Sequence, residues 1–325
     1  MRHIVYNSNS ELASFVFEGY SDEDTRLIAY REMPDSWMGR IGRGIESSLR
    51  GTRLGLYPDA TTRRRLGTIA STDVVLFFAM ENLHNIASIA KYVSARRLHV
   101  FLWNPVARIK QSLAHSRRQV AQLKAIADDI HTFDQDDAMA YGLHIAPQPY
   151  RHVPALAGAD AGIRPAFYFS GVDKGRLGLL LELKAAIEQL GLDHHFHVVA
   201  DRGKAYAPPL RAHLQDHWIP YARNLRASQR AACLVEIIQH HQSGPTLRSM
   251  EALFLQKKIV TNRASARDDR FFDPDRVLVI DRVDAAEIGA FMRRPFKPVE
   301  PGLLAPHEIH AWIRQVAPLG GRAAG

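Results

Sequence analysis

Ser243-Gly-Pro-Thr-Leu-Arg-Ser-Met-Glu-Ala-Leu-Phe-Leu-Gln-Lys-Lys-Ile-Val-Thr-Asn262 reads as a Gly/Pro turn, a nearly apolar helix and a short strand. At about 100° per residue, Leu247, Met250, Leu253 and Phe254 form the core stripe of that helix, and Glu251 falls at its edge. A carboxylate so placed is costly unless a partner satisfies it. Gly244 permits close backbone approach, and Pro245 suits a first helical position. Free N–H groups at such a start, with Arg248 one turn in, form a seat for an anionic group. A phosphate at the helix start and a sugar hydroxyl at Glu251 describe a nucleotide site. The plainer alternative is that Arg248 and Glu251, spaced i, i+3, pair with each other.

Working outward, the surrounding chain alternates strand and helix. The first half carries strand patterns at His3–Tyr6, Arg26–Tyr30, Asp73–Phe78, Leu98–Trp103 and Ile130–Phe133. Helical patterns lie near Glu11–Glu18, Ser36–Leu49, Thr61–Ala70, Asn82–Ala95 and Ala107–Ala127, and Ser8 and Glu11 are spaced as a capping box. Apolar runs such as Val74-Val-Leu-Phe-Phe78 imply a parallel sheet covered on both faces. Residues 146–165 hold four prolines and no sustained periodicity, which marks a linker. Alternation resumes with strands Ala166–Phe169, Phe196–Ala200, Leu234–Ile238, Lys258–Val260 and Val277–Ile280. A long helix is expected over Leu177–Leu190, with closing helices over Asp284–Met292 and His307–Val316. The expected fold is α/β: two doubly wound Rossmann-like domains facing across a cleft, spanning 1–150 and 166–325 with a linker over 151–165. Ligands of such sheets bind beyond the carboxyl ends of the strands. Ser170–Arg176 and Ser243–Glu251 both sit there, and Gly171, Lys174 and Arg176 are of types suited to a phosphate.

Composition sets the bounds. A length of 325 residues suits two domains, and 46% hydrophobic with 23% charged residues is ordinary for a globular chain. The single cysteine, Cys233, rules out an internal disulfide, suits a cytoplasmic setting and lies in an apolar run that makes it core filler. The first ten residues are mostly polar, no apolar signal segment follows, and no apolar run approaches a membrane span. The net charge of +8 is concentrated between Ser36 and Arg118, where fourteen Lys/Arg face four Asp/Glu. That patch suits an anionic membrane surface or substrate. It lacks the interleaved aromatics of a single-strand binder and any zinc-finger or RRM signature, so no nucleic-acid partner is expected.

Several segments together resemble GT-B glycosyltransferases, and more narrowly those of bacterial lipopolysaccharide or capsular polysaccharide biosynthesis. They are Thr72-Asp-Val-Val-Leu-Phe-Phe78, Val100-Phe-Leu-Trp-Asn-Pro105, Thr132–Gly142, Phe169-Ser-Gly-Val-Asp-Lys-Gly-Arg176 and Gly244–Leu253 with its following strand. The resemblance implies a nucleotide-sugar donor in the second domain and an acceptor at the first. It implies Glu251 on the ribose hydroxyls, with Gly171, Lys174, Arg248 and the Gly244–Thr246 backbone near the diphosphate. Many retaining members carry a second glutamate eight residues earlier; here that position is Ser243, which leaves retaining versus inverting chemistry open. An inverting enzyme needs a general base from the first domain, and Glu81 and His84 follow a strand where such a group belongs, whereas Asp73 lies at the wrong end of that strand. The resemblance implies no bound metal and no cofactor beyond the donor itself.

Other clusters are weaker. His194, His195 and His197 straddle a strand entry and do not converge on one ion. His240 and His241 lead into the Ser243 motif, where one of them is placed to touch the donor. Asp134-Gln-Asp-Asp137 reads as a helix start. The Ala107–Ala127 helix is basic on one face, a solvated or membrane-facing surface. The functional reading is glycosyl transfer to a lipid-linked or polysaccharide acceptor, by a cytoplasmic protein peripheral to the inner membrane. A non-catalytic nucleotide-sugar-binding protein on the same fold is the alternative, and acceptor-independent turnover by an epimerase or hydrolase is a third.

Overall fold

The computed structural model describes residues 1–31, 41–42, 44–46, 53–80, 83–106, 113–153, 165–238 and 243–320. The chain divides into two compact units, Met1–Arg151 with His307–Gly325, and His152–Pro306. The expected second domain therefore loses its C-terminal end, because residues from His307 onward belong with the first unit.

The first unit is built on a parallel six-stranded sheet in the order β2-β1-β3-β4-β5-β6. Its strands are β1 (Arg2–Asn7), β2 (Thr25–Tyr30), β3 (Val74–Phe78), β4 (Arg97–Leu102), β5 (Asp129–Thr132) and β6 (His144–Ile145). One face carries Val5, Val75, Phe77, Val100 and Ile130, packed with Leu66, Ile86, Ile89, Val120 and Leu123 from the crossover helices. β3 is buried along its whole length, as its unbroken apolar run requires. Elsewhere in the unit Phe78 and Phe101 meet Trp312 edge-on, at 5.6 and 4.7 Å between ring centres. Trp312 belongs to the Ile309–Val316 helix, and its Nε1 donates to Pro147 O at 2.6 Å. The buried face of the closing helix thus finds its core in the first unit, not the second.

The second unit holds a parallel five-stranded sheet, β11-β10-β9-β7-β8. Its strands are β7 (Phe167–Val172), β8 (His194–Val199), β9 (Cys233–Glu236), β10 (Lys258–Thr261) and β11 (Val277–Val279). Phe167, Phe169, Val198, Val235 and Val260 pack with Leu180, Leu183 and Ile187 of the Leu177–Gln189 helix and with Ile288 and Phe291. The opposite face sets Tyr168, Leu234 and Ile259 with Ala252, Val277 and Val279. The order turns back between β7 and β9, so the crevice at a switch point opens at the carboxyl ends of those two strands.

Two local expectations change. Ser8 does not cap the first helix; it donates to Tyr30 O at 3.0 Å, and Ser10 accepts from Ala13 N as the cap of Glu11–Phe17. The Tyr221–Arg230 helix has no counterpart in the expected elements. The helix start at Asp134 is present, its Oδ1 accepting from Asp137 N at 3.1 Å. The Ser36–Leu49 helix falls largely outside the described residues, and the Ala107–Ala127 helix is described over Leu113–Lys124.

Candidate functional site

β7 delivers its last residues to the switch point and turns through Asp173, Lys174 and Gly175 into the Leu177–Gln189 helix. Lys174 and Gly175 take φ of +45° and +83°, which reverses the chain tightly and leaves Lys174 exposed. Asp173 is buried and accepts from Leu177 N at 2.8 Å, Lys204 Nζ at 2.8 Å and Tyr206 OH at 2.9 Å. This carboxylate ties the turn after β7 to the loop after β8. Asp201 accepts from Lys174 N at 3.1 Å and strengthens the same tie.

Arg176 lies across the ends of β7 and β9. Its guanidinium donates to Asp173 O at 3.1 Å, to Ile237 O at 2.9 Å and to Val172 O. Burial lowers its pKa to about 10, against the opposing pull of Asp173. Among the described residues no carboxylate comes within ion-pair distance of it, so three carbonyl oxygens are its only acceptors there. Gly171 exists for this guanidinium: a Cβ on it would stand 2.9 Å from Arg176 Nη2 and 3.2 Å from the Phe169 ring. The close approach expected at Gly171 is thus made by Arg176.

The second motif follows β9. Thr246 caps the Leu247–Phe254 helix, accepting from Arg248 N at 3.0 Å. Gly244 is buried, Ser243 and Thr246 are partly buried, and Ser243 O accepts from Ser265 Oγ at 2.7 Å. Glu251 is only 1% exposed. Its carboxylate accepts from Tyr221 OH at 3.0 Å, Asn224 Nδ2 at 3.3 Å, Ser228 Oγ at 3.2 Å and Arg248 Nη1. The i, i+3 pair between Arg248 and Glu251 is therefore formed. Arg248 also donates to Ser228 Oγ at 2.8 Å and to Ser170 O at 3.1 Å, and its guanidinium lies 5.5 Å from the centre of the Tyr168 ring. Tyr221, Asn224 and Ser228, at i, i+3 and i+7, line one face of the unexpected helix. That polar-among-buried spacing was the only signal in the sequence for them.

Glu236, the last residue of β9, was also unmarked in the sequence reading. It is 3% exposed and accepts from Thr246 Oγ1 at 2.5 Å, Ser249 Oγ at 2.6 Å, Thr261 Oγ1 at 2.7 Å and Thr246 N at 3.3 Å. Arg263 Nε lies 3.6 Å from it. Burial works to raise its pKa, but Arg263 and the three hydroxyls outweigh burial and hold it below the usual carboxylate range.

The structure thus brings Gly171, Lys174, Arg176, Ser243, Gly244, Thr246, Arg248 and Glu251 into one unit, around the ends of β7 and β9. Glu81 lies outside the described residues, as do His240 and His241. His84 occupies the second position of the Leu83–Ala90 helix, and its side chain lies outside the description. Asp73 precedes β3 and bonds His3 Nε2 at 2.9 Å, at the amino end of the sheet. Among the described residues no group of three or more His, Cys, Asp or Glu is arranged to hold a metal ion, and no helix is long and apolar enough to cross a membrane.

No protein-family model matches the sequence, and no curated protein matches it. Solved structures do. A trehalose-6-phosphate structure from E. coli bound with UDP-2-fluoro glucose aligns at TM-score 0.54 and 13% identity, covering 96% of this chain and 94% of that one. A UDP-forming alpha,alpha-trehalose-phosphate synthase from Burkholderia vietnamiensis aligns at 0.54 and 12%, with the same coverage. The Burkholderia xenovorans synthase in complex with glucose-6-phosphate aligns at 0.53 and 13%, covering 96% and 95%. These neighbours are GT-B glycosyltransferases, and at such identities the likeness speaks to architecture alone. With two parallel α/β sheets and a match along nearly the whole chain, this protein has the GT-B fold.

Proposed function

We propose that the protein is a glycosyltransferase that takes a sugar from a nucleotide-sugar donor and passes it to a lipid-linked or polysaccharide acceptor in bacterial surface-glycan (lipopolysaccharide or capsule) synthesis. The observation that carries this reading is Arg176. A half-buried cation whose partners among the described residues are carbonyls, with no carboxylate within ion-pair distance, is costly, and an anionic ligand at the β7/β9 ends relieves that cost. The diphosphate of a donor is such a ligand, with exposed Lys174 and the backbone running from Gly244 into the helix start beside it. Pro245 has no N–H and Thr246 N is engaged by Glu236, so the donors there are the remaining N–H groups of the helix start. Charge developing on the leaving diphosphate is stabilised by the same groups, which is the direction in which they accelerate transfer.

Arg248 contributes less net charge, because Glu251 neutralises it. A contact from Glu251 to the ribose hydroxyls requires a lone pair beyond those already engaged by four donors. The proposed general base remains Glu81 or His84, and the departure at Ser243 leaves the stereochemistry open. The basic stretch from Ser36 to Arg118, with Arg64, Arg65, Arg96, Arg117 and Arg118 exposed, fits peripheral contact with an anionic inner membrane from the cytoplasmic side. No metal or further cofactor is invoked.

Binding of a nucleotide-sugar without catalysis is the second reading, favoured by the closed Glu251 network. The experiment that separates the two incubates the protein with UDP-, GDP-, CMP-, dTDP- and ADP-sugars, with and without lipid-linked glycan acceptors. The transferase reading expects nucleotide release that depends on acceptor; the binding reading expects retention of one donor without turnover. Release without acceptor contradicts both.

A further inference from the structure

We propose that Glu236 is a positioning residue for the donor phosphates: its buried carboxylate fixes the Ser243–Thr246 turn and the first turn of the Leu247–Phe254 helix in the geometry that meets an anion. The inference rests on the donor reading of the second unit.

Four donated bonds converge on this one side chain, from three separate pieces of the unit. Thr246 N and Oγ1 come from the turn, Ser249 Oγ from the helix and Thr261 Oγ1 from the end of β10. Arg263, itself bonded to Asp269 Oδ1 at 3.1 Å, closes the network from the loop after β10. Because Thr246 donates its hydroxyl proton to Glu236, its lone pairs face Arg248 N, which sets the helix cap. The backbone next to Glu236 is held as well, since Ile237 O accepts from Arg176 Nη1 at 2.9 Å. Glu236 and Arg176 therefore grip the end of β9 from the side chain and the main chain. Ser265 pins the other end of the turn through Ser243 O.

Stability alone does not call for this arrangement. A buried ionic network is often replaceable by apolar side chains of similar volume without loss of stability, and Leu234 and Ile259 nearby show that the surroundings accept them. What an apolar residue cannot do is orient a hydroxyl, a backbone N–H and a helix start together. These groups are spent on Glu236, and what they fix is the backbone around them, so the remaining N–H groups of the helix start meet a ligand without reorganising when it arrives.

The test compares Glu236→Gln, Glu236→Asp and Ser249→Ala with a control, Lys258→Met. Lys258 sits at the other end of β10, where its Nζ donates to Phe291 O and Arg294 O at 2.6 Å each, so its loss destabilises the unit away from the turn. Each protein is titrated with UDP, GDP, CDP, dTDP and ADP by calorimetry, and its melting temperature is measured without ligand. Affinity for the nucleotide that wild type binds should fall about tenfold or more in Glu236→Gln and Ser249→Ala, the order of one charge-assisted hydrogen bond. Glu236→Asp, which keeps the charge, should recover part of the loss, and the donor KM should rise with the acceptor KM unchanged. Lys258→Met should lose melting temperature and keep its affinity. Wild-type affinity in Glu236→Gln and Ser249→Ala, despite lower melting temperatures, overturns the inference. If Glu236→Gln does not fold, Ser249→Ala alone decides. A wild type that binds none of the five nucleotides overturns the donor reading and this inference with it, a failure distinct from the first.

Discussion

Arg176 carries three backbone acceptors and a positive charge at the end of a parallel sheet, and the residues around it are explained by that charge. Gly171 has to lack a side chain because the guanidinium occupies the space. Pinned by carbonyls, Arg176 cannot swing aside, so Gly171→Ala should destabilise by about 1–3 kcal/mol, the cost of forced overpacking; a chemical melt of the variant reads this directly. Glu251 shows the opposite balance. Removing it strands Arg248 and the polar groups of Tyr221, Asn224 and Ser228 in a buried site. Glu251→Ala should therefore cost about 3–5 kcal/mol of stability even without nucleotide, and a ligand-free melting temperature equal to wild type would refute the network. The positions of these residues were legible in the sequence, since Gly171 and Arg176 stood about a strand-to-helix turn and Arg248 and Glu251 one turn apart on a helix. Their partners were not. Glu236 looked like one polar residue in the apolar run Cys233–Ile238, and nothing local told that three hydroxyls distant in sequence would fold onto it.

At the scale of elements, the strands were readable because a parallel sheet buried on both faces demands continuous apolar runs, and β3 and the first three residues of β9 are such runs. Ends differed by at most three residues, where the ladder rather than the apolar run decides. β6 escaped notice because two residues, His144 and Ile145, show no period. The Tyr221–Arg230 helix escaped because its sequence is polar, and what it buries includes Asn224 and Ser228 as well as Tyr221 and Leu225. The edge formed by β4, β5 and β6 has a consequence for acid stability. His99 pairs in register with Asp129, and His131, two residues further along β5, pairs with Phe101 and His144, so His131 is a diagonal neighbour of His99 and a direct neighbour of His144. Adjacent rings stand 5.8 and 5.5 Å apart. Burial lowers the pKa of His99, and burial with the neighbouring histidines lowers His131 from 6.5 to about 4. Asp129 and Asp128 pull His99 upward and Arg97 pushes it down, without reversing the direction. Above pH 6.5 these rings are neutral folded or unfolded, and their contribution is fully present. As pH falls from 6.5 towards 4 the unfolded chain takes up protons that folded His131 refuses, and stability drops by about 1.4 kcal/mol per pH unit for each excluded ring. Replacing His131 with Phe should flatten that stretch of the pH–stability curve, measured by urea melts from pH 7 to 4.

For the whole molecule, the chain passes from the first unit to the second and returns. The return was not legible in the sequence, because the apolar stripe of Ile309–Val316 fits any sheet and only packing chooses between two. Trp312 is fully buried in the first unit, with Tyr150 N bonded to His307 O at 2.7 Å beside it. A fragment ending at residue 153 should lose the cover of Phe78 and Phe101 and bind hydrophobic dye, while the full chain with Trp312→Ala should lose about 3–5 kcal/mol; dye binding no greater than that of the full chain would contradict this assignment. The fold and the site then meet in the proposal that the carboxyl ends of β7 and β9 in the second unit seat a diphosphate. The direct test is calorimetric titration of the full-length protein with UDP, UMP and uridine, repeated with the guanosine, cytidine, thymidine and adenosine series. One series should bind, with the diphosphate at least about a hundredfold tighter than its nucleoside, a gap of some 2.7 kcal/mol, and Lys174→Ala should narrow it. Equal binding of nucleoside and diphosphate, or none in any series, would contradict the account.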